Sequence, residues 1–97
     1  MNNNYGMVNV IRDRQFKGSL IKFDVYIDNQ FAGSLKSGET LNIPVYYGNH
    51  IVSLKTIDET VNQEILLSET QRNFNIQCNC KMGLLTGRPN IINVYYN

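Results

Sequence analysis

Asn73-Phe74-Asn75-Ile76-Gln77-Cys78-Asn79-Cys80 alternates polar and apolar residues at every step, and that period of two decides the fold class. On an extended backbone successive side chains point to opposite faces. Phe74, Ile76, Cys78 and Cys80 therefore share one apolar face, and the four amides share the other. Working outward, Ile21, Phe23, Val25 and Ile27 oppose Lys22, Asp24, Tyr26 and Asp28. Leu41, Ile43 and Val45 repeat the pattern, as do Val52 and Leu54 against Ser53 and Lys55. Ile92, Val94 and Tyr96 do so against Asn93 and Tyr95, and Met7–Arg12 reads as a first strand whose register the pattern does not fix. Strands with one apolar face each are buried best between two layers. The expectation is all-β: a small two-sheet antiparallel β-sandwich, Ig-like or prealbumin-like, of seven or eight strands.

Turn chemistry supports this. Asp28-Asn29-Gln30 suits a tight hairpin, because Asp and Asn tolerate left-handed backbone. Ser37-Gly38-Glu39 and Gly48-Asn49 read as further turns, and Gly87-Arg88-Pro89-Asn90 as a loop before the last strand. Pro44 lacks a backbone donor, so its strand is expected at an edge or a bulge. Asp58–Glu69 admits two readings, a short capped helix or a loop followed by a strand through Glu64–Leu67; the strand is preferred. Phe16, Leu20, Phe31 and Leu35 are counted with the core, Phe16 capping it from a loop.

Ninety-seven residues accommodate one domain, 1–97, with 1–4 expected to fray. With 42% hydrophobic and 18% charged residues the chain has the composition of a folded domain rather than a disordered one. Nine Lys and Arg against eight Asp and Glu leave +1, which argues against a strongly basic nucleic-acid binder. No cationic segment followed by a long apolar run opens the sequence, so no secretory signal is read and the cytosol is the expected compartment. Apolar runs are too short for a membrane span, and no membrane partner is expected.

Val25-Tyr26-Ile27-Asp28-Asn29-Gln30-Phe31-Ala32-Gly33-Ser34-Leu35, then Gly38-Glu39, then Tyr47-Gly48-Asn49-His50, form a recognisable series. Over about residues 20–57 the chain resembles the PEGA-like and carboxypeptidase-regulatory-like β-sandwich modules of bacteria. It departs from them in having Asp28-Asn29 for an Asp-Gly turn and Tyr47-Gly48-Asn49 for the Pro-Gly before the His. The resemblance implies a non-enzymatic accessory or interaction module.

Few residues suggest chemistry. Cys78 and Cys80 lie on the apolar face, where a free thiol behaves as a small hydrophobe, and a zinc site would have only His50 to add. His50 follows a turn and is expected to bond a nearby carbonyl; the carboxylates nearest in sequence, Glu39 and Asp58, belong to no catalytic motif with it. Gly-rich phosphate loops, His-Glu-x-x-His helices and Gly-x-Ser-x-Gly elbows are absent. Neither cofactor nor metal is expected. Arg12, Arg14, Lys17 and Lys22, with Phe16 and Phe23 interleaved, form a weak basic patch read as a solvated strand edge. Tyr26, Tyr46, Tyr47 and Tyr95 form the candidate interaction surface, since tyrosine supplies rigid area with a polar tip. The expected function is a non-catalytic protein-interaction or structural module, an adaptor or inhibitor acting through a sheet face or an edge strand. Its partner is another protein or a second copy paired through that edge. The alternatives are a carbohydrate-binding module using Tyr26, Tyr46 and Tyr95, or an OB-like barrel for single-stranded nucleic acid, which needs a helix over 58–69.

Overall fold

The computed structural model describes residues 4–83 and 86–97. Eight strands follow in order: β1 (Tyr5–Arg12), β2 (Phe23–Ile27), β3 (Gln30–Leu35), β4 (Thr40–Tyr46), β5 (Gly48–Lys55), β6 (Thr60–Leu67), β7 (Asn73–Met82) and β8 (Gly87–Tyr96). They form two four-stranded sheets, β4-β1-β7-β8 and β3-β2-β5-β6. The two-sheet sandwich read from the alternation is the architecture found. The second sheet is antiparallel throughout. The first is mixed, because β1 lies between β4, to which it runs antiparallel, and β7, to which it runs parallel.

Val8, Val10, Phe23, Val25, Leu35, Val52, Leu54, Ile65, Leu67, Phe74 and Ile76 fill the space between the sheets, with Cys78 and Cys80 at the end of the β7 row. Each large side chain buried there contributes roughly 1.5–3 kcal/mol of gross stabilisation. Residues 60–67 are a strand, so the helix that the barrel alternative needs is not there.

Several expectations change. Gly48-Asn49 belongs to β5 and is not a hairpin turn: Tyr47 alone carries the chain from β4 in one sheet to β5 in the other. Gly87–Asn90 is the beginning of β8, whose edge position tolerates Pro89. A bulge in the β7–β8 pairing sets Gln77 opposite Asn93 and Cys78 opposite Ile91, which skips Ile92. Ile91 therefore packs on the core while Ile92 is 46% exposed. Of the added core candidates only Leu35 is buried: Phe16 and Leu20 are each 98% exposed and Phe31 61%. Residues 13–22 bridge the two sheets outside any strand, so no pleat turns Phe16 and Leu20 inward, and only Ile21, next to β2, packs on the core.

Backbone constraints fit the residue types. Asp28 and Asn29 have φ of 49° and 67°, the paired left-handed conformation of a tight β2–β3 hairpin. Pro44 lies on β4, at an edge as expected. Gly87 is crowded: a Cβ there would press on the buried Cys80 Sγ as well as on Ile21 Cδ1.

Candidate functional site

The basic patch loses its first member. Arg12 is 1% exposed, because the alternation that buries Val8 and Val10 on β1 carries the next even-numbered residue inward as well. Its guanidinium stacks 3.9 Å above the Phe23 ring. Nη1 donates to Ile21 O at 2.6 Å and to Leu35 O at 2.9 Å, and Nη2 donates to Gly18 O at 3.0 Å. Nε is buried without a partner among the described residues. Burial lowers the pKa of the group, against the opposing pull of Cys80, Cys78 and Glu39. Arg12 is thus an internal staple that ties the 13–22 loop to the end of β3.

Gln15 adds to the hold. Its backbone N–H donates to Ser37 Oγ at 2.8 Å, its Nε2 to Cys80 O at 3.1 Å, and its Oε1 accepts from Cys80 N at 2.6 Å. Gly18, with φ of 79°, sits against Cys80 Sγ. Arg14, Lys17 and Lys22 remain exposed, Lys22 lying 3.9 Å from Asp24.

The four tyrosines do not converge. Tyr26 is on β2, between edge strand β3 and β5; Phe31 meets its ring edge-on at 5.7 Å and Lys55 Nζ lies 4.5 Å over its face. Tyr46, 61% exposed on edge strand β4, stacks on Tyr5 with centroids 4.4 Å apart, and the Tyr5 hydroxyl donates to its hydroxyl at 2.8 Å. Tyr95 lies on β8, at the opposite edge of that sheet. Tyr47 is half-buried: as the crossover residue it packs against the core with its hydroxyl buried, so it presents only part of its side chain.

What does assemble around Tyr46 is a trough between the edge strands β3 and β4, lined by Ile27, Phe31, Ala32, Ile43, Pro44 and Tyr46, with Asp28 and His50 also on its wall. Sequence reasoning counts Phe31 inward and leaves Tyr5 out. A bulge in the β2–β3 pairing puts Val25 opposite Gly33 but Tyr26 opposite Phe31, so Phe31 joins Tyr26 on the outer face.

His50 bonds a carbonyl as expected, Nε2 lying 2.7 Å from Tyr46 O, and its Nδ1 meets Asp28 Oδ2 at 2.5 Å. Both partners accept, so the ring satisfies both when each nitrogen carries a hydrogen. Asp28 Oδ1 accepts from Ile51 N at 2.9 Å. The His50 hydrogen bond, aided by Ile51 N–H, holds the Asp28 carboxyl below its ordinary pKa. This contact fastens the β2–β3 hairpin to β5 and to the end of β4. A nucleophile beside His50 would first have to displace one of these partners.

Cys78 and Cys80 are free and buried, and burial pushes the Cys78 thiol up to about 12. Among the described residues no three His, Cys, Asp or Glu side chains are grouped to hold a metal ion. Compared with known protein families, curated proteins and solved structures, the chain matches none.

Proposed function

We propose that the chain is a non-catalytic protein-interaction module of the cytosol whose contact surface is the trough between β3 and β4. The observation carrying this reading is the pair Phe31 and Tyr46, each 61% exposed, flanking an apolar floor of Ile27, Ala32 and Ile43. Aromatic side chains of this kind act as anchors because they bury large area while losing few rotamers. Stacking on Tyr5 fixes Tyr46 in advance, which reduces the ordering cost of binding. Pro44 removes a donor from the β4 edge, which favours recognition by side chains over strand addition. The likeness of residues 20–57 to PEGA-like modules supports the same reading. So do the engagement of both His50 ring nitrogens and the neutral state of the Cys78 thiol, which leave those groups unsuited to catalysis.

The test is site-specific photo-crosslinking in cells. A photoreactive phenylalanine analogue at position 31 or 46 is expected to give the same discrete adduct, and at position 95, on the far edge, none. An adduct of twice the chain's mass would identify a second copy as the partner. Equal labelling from all three positions, or none from 31 and 46, would reject the trough as the contact surface.

A further inference from the structure

The opposite end of the sandwich carries a second surface, independent of the β3–β4 trough. Phe16 and Leu20 on the 13–22 loop are 98% exposed, and Ile57 on the β5–β6 turn is 99% exposed. Strand directions bring the loop and the turn to one end: Phe23, where the loop enters β2, pairs with Leu35, and Asp24 pairs with Lys55, the last residue of β5. Leu20 and Ile57 line one groove with Ile21, Lys22 and Lys55. The body is long and narrow, 50 × 22 × 17 Å, so this end is a small tip.

Side-chain charge is divided along the same axis. Every Lys and Arg except Arg72 belongs to the half of the molecule that bears these residues, as strand ends or as loop positions. Asp13, Asp24, Glu39, Asp58 and Glu59 share that half. Asp13 accepts from Gln77, Asp24 lies near Lys22, and Glu39 accepts from Lys36 N–H, while Asp58 and Glu59 stand beside Ile57. The other half holds Arg72 with Asp28, Glu64 and Glu69. That half is therefore net positive, its excess including the buried Arg12 along with Lys81 and Arg88 beyond the two loops, and the other half is net negative.

We propose that this tip docks on an anionic membrane surface, with Phe16, Leu20 and Ile57 entering the boundary between headgroups and acyl chains. Arg14, Lys17 and Lys22 meet the lipid phosphates and carboxylates. Near-complete exposure leaves Phe16, Leu20 and Ile57 standing out from the surface on two separate loops. A rigid partner would need a matched pocket for each, whereas a lipid interface closes around all of them. Cations beside the tips complement the charge of the cytoplasmic leaflet, and each adds to the attraction at low salt. Arg12 and Gln15 hold the 13–22 loop in place, so Phe16 and Leu20 are presented without further ordering. The sequence reading, which expects no membrane partner, treats Phe16 and Leu20 as core; their exposure reopens the question.

Vesicle co-sedimentation tests this directly. Wild-type protein is expected to sediment with phosphatidylcholine vesicles containing about one-third phosphatidylserine, and to be released as salt rises. Phosphatidylcholine alone should retain little. Phe16→Ser with Leu20→Ser should lower partitioning by roughly tenfold or more, and these fully exposed sites leave the core untouched. Because the chain contains no Trp, Phe16→Trp gives a clean second readout: the emission of the introduced indole should shift to the blue on the anionic vesicles. Phe31→Ala with Tyr46→Ala should leave sedimentation unchanged, which separates this surface from the trough. Absence of sedimentation, sedimentation that survives loss of both tips, or an unshifted indole emission from the vesicle-bound Phe16→Trp variant would overturn the proposal.

Discussion

Arg12 shows what an interior charge can do when its partners are carbonyls rather than carboxylates. Three backbone oxygens from two segments converge on one planar donor, and only guanidinium has the fork to reach them together. Arg12→Met keeps much of the volume but strands the Gly18, Ile21 and Leu35 carbonyls; it should cost about 2–4 kcal/mol in urea unfolding. A loss below about 0.5 kcal/mol would mean that water already serves those oxygens. Asp28 offers a pH test. Its folded pKa is depressed, so its stabilisation is complete above the unfolded value, about 3.9, and disappears as pH falls through the folded one. Asp28→Asn keeps a residue that tolerates left-handed backbone. Melting temperatures of the wild type and this variant should therefore differ most near neutrality and converge toward about pH 2. A constant gap across that range would remove the carboxylate from the explanation. Neither group is legible in the sequence, for different reasons. Arg12 has the parity of Val8 and Val10, yet its charge suggests the outside. Asp28 and His50 are brought together only by the β2–β5 pairing.

Elements are far more legible than their neighbours. Period-two patterning locates the strands and most buried faces, though the β8 bulge leaves the predicted inward set Ile92, Val94 and Tyr96 exposed, and it looks the same in parallel and antiparallel strands. The β1–β7 pairing cannot be read from it. Loop 13–22 escapes the pattern because its apolar residues follow no pleat. Pro44 is legible as an edge residue, and the geometry says which side its missing donor faces. Tyr47 N donates to Asn4 O, so at alternate positions Val45 and Ile43 face β1, and the Pro44 nitrogen faces outward. Pro44→Val would place an unpaired N–H on that border and fit the pleat better. Light scattering at rising concentration is expected to show more self-association for this variant than for the wild type. Unchanged scattering would show that other features, such as the exposed Tyr46, already block the edge.

The whole molecule is joined by distant pairings: Met7 with Asn73 and Arg12 with Cys78 across β1 and β7, besides Val10 with Leu41 in β1–β4. Closing such loops before any contact rewards them slows folding. Stopped-flow refolding, followed through the tyrosines, should relax over milliseconds to seconds. A phase completed within about 0.1 ms would indicate a local nucleus that this topology does not provide. The same connectivity matters during synthesis. β1 is translated before the entire second sheet, and β7, the strand that flanks it on one side, only after that sheet. Until then Val8 and Val10 lack part of their covering, so the nascent chain displays an unfinished sheet that a holding chaperone can shield.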